Sequence, residues 1–470
     1  MTRSRAWYIV ACALFFLVPV SNAQDNKTQD KAALASSESV IRIEANASAP
    51  KPLLISVLTK YYSRQNGVTI NELIERGLLT NLDLAASRLE IERAKARLNQ
   101  ARLRPKPTLE FEQTSGAILG SPGGGEFTVG ASLPVELYGR REARINVAQI
   151  EIQASEADVR NRERLLVAGI LTNYAEALGA LRELDATERL LELDLQTTKF
   201  VQIRVNEGET APLELNLLQA EVERLRARRQ LAEGRLESAI IQLKTLTGIP
   251  FEESLLLCEQ LNTAILPALP ATLEVSIEIA LRTRPDILLT TIEEQVATAG
   301  LRLVRASSRP DVTAYARYTQ GRLGFDNVEG RYQSRNSALT FGVAVGLPVF
   351  NKNQGAKTEA EVAIRQARNR REYAERAVRG EILAAYRRYE AASLAVVTLE
   401  NAAIPRSAQN VETFRRVYEL GELKITDLIA EQRRLLDTTR DLTEALTQKY
   451  RAQVDLNVAL GAGGLLPATK

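Results

Sequence analysis

Few side chains in this chain of 470 residues are arranged for covalent chemistry. Histidine is absent, which removes His-based triads, imidazole general bases and the commonest metal ligand. Glu110 and Glu112 stand two apart in TLEFEQT, a spacing that puts both on one face of a strand. General acid–base work and the lining of a wet lumen both fit that placement, and lining is the commoner use. Gly123-Gly124-Gly125 lacks the Lys and Ser/Thr of a phosphate-binding loop and reads as a loop tip between strands. With 61 basic and 58 acidic residues, a net charge of +3 leaves no broad basic face for nucleic acid. The expectation is a protein that is not an enzyme, has no cofactor or metal site, and does not bind nucleic acid.

What the chain repeats is a turn. RVNEGETAPLELNLLQAEVERLRAR begins at Arg204 and RVYELGELKITDLIAEQRRLLDTTR at Arg416, 212 positions later (416 − 204). Arg204, Val205, Gly208 and Glu214 mark the first turn, and Arg416, Val417, Gly421 and Asp427 the second. Each glycine suits a chain that leaves a helix with positive φ. The copies differ by one step, since Val205 precedes Gly208 by three positions and Val417 precedes Gly421 by four.

The surrounding elements repeat as well, a signal to be read before any motif. In each half a helical pattern runs into Arg-Pro, at Arg104-Pro105 and Arg309-Pro310. Two alternating stretches follow, TLEFEQT and EFTVGASLPV in the first half, VTAYARYT and ALTFGVAVGLPV in the second, with a longer polar loop expected over 320–337. Long helical arms come next, about 136–206 and 213–247, then about 355–418 and onward to Leu460. Tyr174 corresponds to Tyr386, and Leu133-Pro134-Val135 to Leu347-Pro348-Val349. In the returning arm, Leu218, Val222, Leu225, Arg229, Ala232, Leu236, Ala239 and Leu243 form a heptad seam broken once, at Arg229. The outgoing arm has a small-residue seam, Ala143, Val147, Ile150, Ala154 and Ala157. An antiparallel coiled coil would explain the arms but not the strands before them.

In the strands, Leu339, Phe341, Val343, Val345 and Leu347 oppose small residues, and Phe127, Val129, Ala131 and Leu133 do the same. A barrel wall facing lipid outside and water inside needs this pattern, and half-buried sandwich strands share it. Arg3 and Arg5, the apolar run AWYIVACALFFLVPV and the small residues Ser21 and Ala23 read as an export signal. No later run of about 18 apolar residues could cross a membrane as a helix, so a membrane role requires a closed barrel. Four strands cannot close one, whereas three copies supply twelve. Pro105, Pro134, Pro310 and Pro348 fall at the four strand–helix junctions.

Taken together, the duplicated plan, the two Arg-Pro and two LPV junctions, Arg284-Pro285-Asp286 and the paired turns resemble the TolC-like outer-membrane factors. SLPVELYGRREARINVA resembles their heavy-metal-efflux branch. The resemblance implies a membrane α+β fold: a homotrimeric 12-stranded outer-membrane barrel, four strands per chain, continuous with a periplasmic α-helical coiled-coil barrel. It implies an outer-membrane efflux channel, a passive conduit serving an inner-membrane pump of the RND type through a periplasmic adaptor, with outer-membrane lipid around the barrel. It also places the periplasmic tips at the two turns, where the adaptor docks and the duct opens. The cargo expected is heavy-metal cations, with drug efflux or type I secretion as the alternative. An adaptor carries α-hairpins too, usually one, so the duplicated strands disfavour that reading. The organisation expected is a signal peptide over 1–23, a linker over 24–67, a first repeat over 68–250, a connecting segment over 251–284, a second repeat over 285–461 and a tail over 462–470.

Overall fold

A threonine opens each half. Thr69 caps α2 (Ile70–Thr80) in a capping box with Glu72, and Thr272 accepts from the Val275 amide ahead of α6 (Leu273–Thr283). The computed structural model describes residues 56–115, 125–261, 272–327 and 330–461. The expected signal peptide, the glycines Gly123 and Gly124 and the tail lie outside the described residues. Helix α3 (Leu82–Arg102) follows α2 after a break at Asn81, and α7 (Pro285–Ser307) follows α6 after a break at Arg284. The two breaks are built alike. Thr80 Oγ1 donates to the Thr247 carbonyl at 2.6 Å and Thr283 Oγ1 to the Leu460 carbonyl at 2.8 Å. Asn81 Nδ2 donates to the Leu246 carbonyl at 3.0 Å, and the Arg284 guanidinium reaches the Ala459 carbonyl at 3.4 Å. Each threonine presses on a left-handed glycine, Gly248 at φ +64° or Gly461 at φ +88°, where a Cβ would come within 2.7 or 2.6 Å of its hydroxyl.

These joints correct three expectations. The first helix is not continuous to Arg104, because Asn81 leaves the helix to cap both α3 and the end of the returning arm. The second half begins at Thr272 rather than at 285, since α6 is the counterpart of α2. Residues 56–67 are not linker. They hold α1 (Ser56–Tyr61), where buried Tyr61 donates to Glu237 at 2.6 Å, and Tyr62 and Val68 then bridge to Leu257.

The strands β1 (Thr108–Ser115), β2 (Gly125–Val135), β3 (Asp311–Asn327) and β4 (Gly330–Gly346) form one antiparallel sheet in chain order. Register aligns Phe111, Val129, Tyr318 and Leu339 across one face, and Glu110, Gly130, Arg317 and Thr340 across the other. Leu109, Phe111, Leu339, Phe341 and Val343 are exposed on the apolar face of this single protomer. On the polar face, Arg317 lies 3.7 Å from Glu110. The expected loop over 320–337 is instead mostly strand, with pairs running from Gln320↔Ser337 to Asn327↔Gly330. That stretch is rich in Gly, Arg, Asn and Ser, so backbone pairing carries the ribbon and little apolar alternation signals it. Pro105 and Pro310 connect helix to strand, and Pro348 follows β4. Pro134 lies within β2, past the last β1 pair Thr108↔Ser132, where a missing N–H breaks no ladder with β1.

Four long arms complete each protomer: α4 (Arg140–Asn206), α5 (Pro212–Thr247), α8 (Gln354–Thr398) continued through a π turn (Leu399–Ala403) into α9 (Ile404–Glu419), and α10 (Ile425–Ala459). At 1.5 Å per residue α4 is about 100 Å long. Its first turn clamps the helices that descend beside it. Arg141 donates to the Arg102 carbonyl at 2.8 Å, Arg144 to the Ala101 carbonyl at 3.0 Å, and Arg140 to the Ala306 carbonyl at 3.1 Å. Orphan carbonyls at the ends of α3 and α7 are thereby satisfied. The seam predicted for α5 is buried from Leu218 to Leu243 except at Arg229, which is partly exposed. Of the small seam in α4 only Ala157 is fully buried, and α3 packs on a different stripe, Ile145, Ala148 and Ile152.

Arg229, the one charge in the α5 seam, finds Glu188 of α4 at 3.0 Å. Burial pushes the Glu188 carboxyl up, and the Arg229 guanidinium pulls it back. Such a pair fixes the register of two helices that could otherwise slide. Arg229→Ala should therefore lower stability by about 2 kcal/mol, below the usual cost of orphaning a buried charge because Arg229 is partly solvated. Glu188→Gln in the same chain should recover part of the loss, read as the melting temperature of the detergent-extracted protein.

Candidate functional site at the helical tips

Both turns close by the same hydrogen bonds. At the first, the Gly208 amide donates to the Val205 carbonyl at 3.1 Å and the Glu209 amide to the Arg204 carbonyl at 2.9 Å. At the second, the Gly421 amide donates to the Tyr418 carbonyl at 2.9 Å and the Glu422 amide to the Val417 carbonyl at 3.2 Å. This crossed pair is a Schellman cap, and the glycines stand at φ +79° and +82°. The geometry equates Gly208 with Gly421 and Arg204 with Val417, an offset of 213 (421 − 208), not 212. The Arg-Val pairs therefore do not correspond, and the true counterpart of Val205 is Tyr418.

The two outgoing arms are built differently: the first runs unbroken from its left-handed cap at Gly139 to Asn206, and the second runs from its left-handed cap at Asn353 through the π turn Leu399–Ala403 to Glu419. Beyond the tip the offset of 213 persists, from Pro212 and Ile425 at the helix starts to Gly248 and Gly461 at their ends.

Glu214 and Asp427 occupy the same third position of their helices, where a carboxylate complements the helix dipole. Glu214 does more. Its carboxylate accepts from Tyr418 Oη at 3.0 Å, tying the first hairpin to the second. Burial and that carboxylate push the Tyr418 phenol well above its ordinary range, so it remains a donor. Around this bond Val201, Leu215, Leu218, Ile425, Leu428 and Ile429 form a closed apolar cluster, with Val205 at its margin. Arg204 donates to Glu209, stacks over Phe200 with 5.7 Å to the ring centroid, and points toward the second tip, 3.8 Å from where a Gly421 Cβ would stand. Arg416 is exposed and pairs only with Glu412 on its own helix, while Val417 stays outside the tip cluster. Seven of the eight tip positions thus lie in the caps, the cluster edge or the interhairpin bond, Val417 through its carbonyl, and Arg416 owes its selection to the shifted register.

The sequence reading missed Tyr418, and anchoring the two turns on their glycines would have found it. It also missed the exposed apolar residues at this end, Ile203, Leu213 and Leu420. Cys258, half-buried, contacts the Val68 carbonyl through Sγ at 3.4 Å, and burial raises its thiol. Among the described residues no cluster of acidic or cysteine side chains could hold a metal ion, and no helix is long and apolar enough to cross a membrane.

Known proteins share this fold. Residues 73–249 and 276–462 match the family described as "Outer membrane efflux protein", two segments that coincide with the two structural halves. The cobalt-zinc-cadmium resistance protein CzcC of Cupriavidus metallidurans is 25% identical over 394 residues, covering 81% of this chain and 87% of that one. The pyoverdine export outer membrane protein OpmQ of Pseudomonas putida is 24% identical over 425 residues, covering 84% and 86%. Among solved structures, CusC superposes with a TM-score of 0.72 at 20% identity, over 85% of this chain and 93% of that one. The outer-membrane channel OprN gives 0.69 at 19%, over 87% and 95%. The chain belongs to the outer membrane efflux protein family: it is no enzyme but one third of an outer-membrane channel, four barrel strands continued by a long periplasmic helical tunnel.

Proposed function

We propose that this channel serves a tripartite pump expelling heavy-metal cations, and that the two tips of each protomer are where an adaptor docks and the duct is gated. The observation that carries the tip assignment is the Tyr418–Glu214 bond. It joins the hairpins at the end remote from the strands, beside the exposed leucines Leu213 and Leu420. A partner seated on those leucines and on Arg204 could compete for that bond and let the second hairpin move, a hinge-type transition. The relative named for cobalt, zinc and cadmium resistance supports the cargo, and an RND-type inner-membrane pump would supply the energy. The apolar strand face, Leu109 to Val345, would meet outer-membrane lipid. The pyoverdine exporter, matched over a similar span, favours a second reading in which the cargo is an organic molecule. Deleting the gene separates the two: sensitivity to cobalt, zinc or cadmium salts supports metal efflux, and intracellular retention of a siderophore or drug with unchanged metal tolerance supports the other.

Three outcomes test the tips and topology. Gly421→Val forces a branched side chain into a left-handed residue, so export should fall sharply while the trimer still assembles on native gels. Tyr418→Phe removes a donor worth about 1–2 kcal/mol to the Glu214 carboxylate, so single-channel conductance of the closed duct should rise. Unchanged conductance would show that the bond does not hold the gate. A protease site inserted between β3 and β4 should be cut on intact cells, because that ribbon ends on the side away from the helices; protection would invert the orientation.

A further inference from the structure

About two turns of coiled coil from the Tyr418 cluster, the apolar packing is interrupted by a layer of polar side chains. Below it lie Val201, Leu215, Leu218 and Leu428, and above it Leu190, Leu191, Val222, Leu225 and Leu436. The layer contains Asp194 of α4, Glu221 of α5 and Gln432 of α10, all buried, Asp194 with no exposure at all. Glu221 is held by Arg224 of its own helix, and across the hairpins by Arg433 at 2.5 Å. Asp194 is not held. Neither of its carboxylate oxygens receives a hydrogen bond from the protein, and the Gln432 amide that faces it completes none. The nearby Thr198 hydroxyl donates to the Asp194 backbone carbonyl instead.

A fully buried carboxylate without a hydrogen-bond partner is costly to keep charged, and such a group takes up a proton more readily. We propose that packing of the second hairpin onto the first captures a proton on Asp194, so that acid favours the closed tunnel and alkali loosens it. The groups that face Asp194 are Glu221 and Arg224 from α5 and Gln432 and Arg433 from α10. Burial raises its carboxyl most and the Glu221 charge adds to that, while Gln432 and the two arginines oppose, leaving it pushed up to about 7. The sign is set by proton binding. An open tunnel with Asp194 in water holds that proton only to about pH 4, the ordinary aspartate range. Between about pH 4 and pH 7 the closed form therefore binds more protons than the open one. Raising pH through that window drains stability from the closed form, up to tenfold in the open/closed ratio per pH unit and per protomer, and the dependence flattens above about 7.

This proposal rests on the second hairpin being the gate, and the test separates the two ideas. Spin labels at Gln196→Cys and Ala430→Cys, in a Cys258→Ser background, report the distance between α4 and α10 in the reconstituted trimer. Conductance is recorded on the same protein from pH 5 to 8.5. We expect the distance distribution to broaden and conductance to rise between pH 5 and 7. Asp194→Asn, an isostere of the protonated acid, should stay closed and lose the pH response. Should that variant fail to assemble, Glu221→Gln serves: removing the neighbouring charge should move the transition toward acid. A wild-type distance that ignores pH, an Asp194→Asn protein that keeps the wild-type profile, or a Glu221→Gln transition that does not move overturns the proposal. A distance that tracks pH while conductance does not leaves the proton linkage standing and removes the hairpin as gate.

Discussion

The outer strands of the sheet, β1 and β4, each have one paired side and one open side within the protomer. In hydrocarbon every unpaired backbone group costs several kcal/mol, so β1 of one chain must find β4 of another. Twelve strands from three chains close such a ring and leave no edge. That closure dictates much of the architecture below the membrane. Each strand continues into a helix, so a ring of strands becomes a ring of helices. The arginines at the start of α4 matter for this reason. By capping α3 and α7 they hold the descending helices parallel to α4 at the level where sheet gives way to tunnel.

The largest apolar core lies where α1 and α2 pack on α4, α5 and α10, and from there toward the tips the hairpins are held together layer by layer. Most layers are aliphatic, and such layers say little about register, because leucine meets leucine equally well one turn along. Register is set where charge is enclosed, at Arg229 with Glu188 and at Arg433 with Glu221. The equatorial joint uses the same device, with Arg284 buried between Asp286 and Glu381 at 2.6 and 2.8 Å. The Arg284 guanidinium holds the Asp286 carboxyl below its ordinary range against the effect of burial. Asp194 stands apart from these pairs because neither of its carboxylate oxygens receives a hydrogen bond.

Much of this was legible from the chain alone, because repetition and periodicity survive without coordinates. Alternation marked the strands wherever one face was apolar, and failed over 320–337, where the sequence is mostly polar and the backbone ladder carries the pairing. The heptad seam was visible because burial was continuous, and Arg229 stood out within it. The break at Asn81 was hidden, since Asn at a helix start and Asn inside a polar helix face look alike until Leu246 supplies the carbonyl it caps. The two turns were located but matched one residue out of step. A shared Arg-Val pair outweighed the glycines, although it is the glycine's φ that fixes a Schellman cap.

That shift bears on how the two hairpins differ. The first outgoing arm is an uninterrupted α-helix over 67 residues, whereas the second contains five residues of π turn followed by Pro405, which supplies no amide to the preceding turn. At the tip, Tyr418 stands where the first hairpin has Val205, and it lies in the apolar cluster where its hydroxyl reaches Glu214. Duplication supplied two turns with the same cap, but the phenol is on the second alone of the pair, so the two hairpins are not interchangeable: the second supplies the donor and the first the acceptor of the bond that ties them.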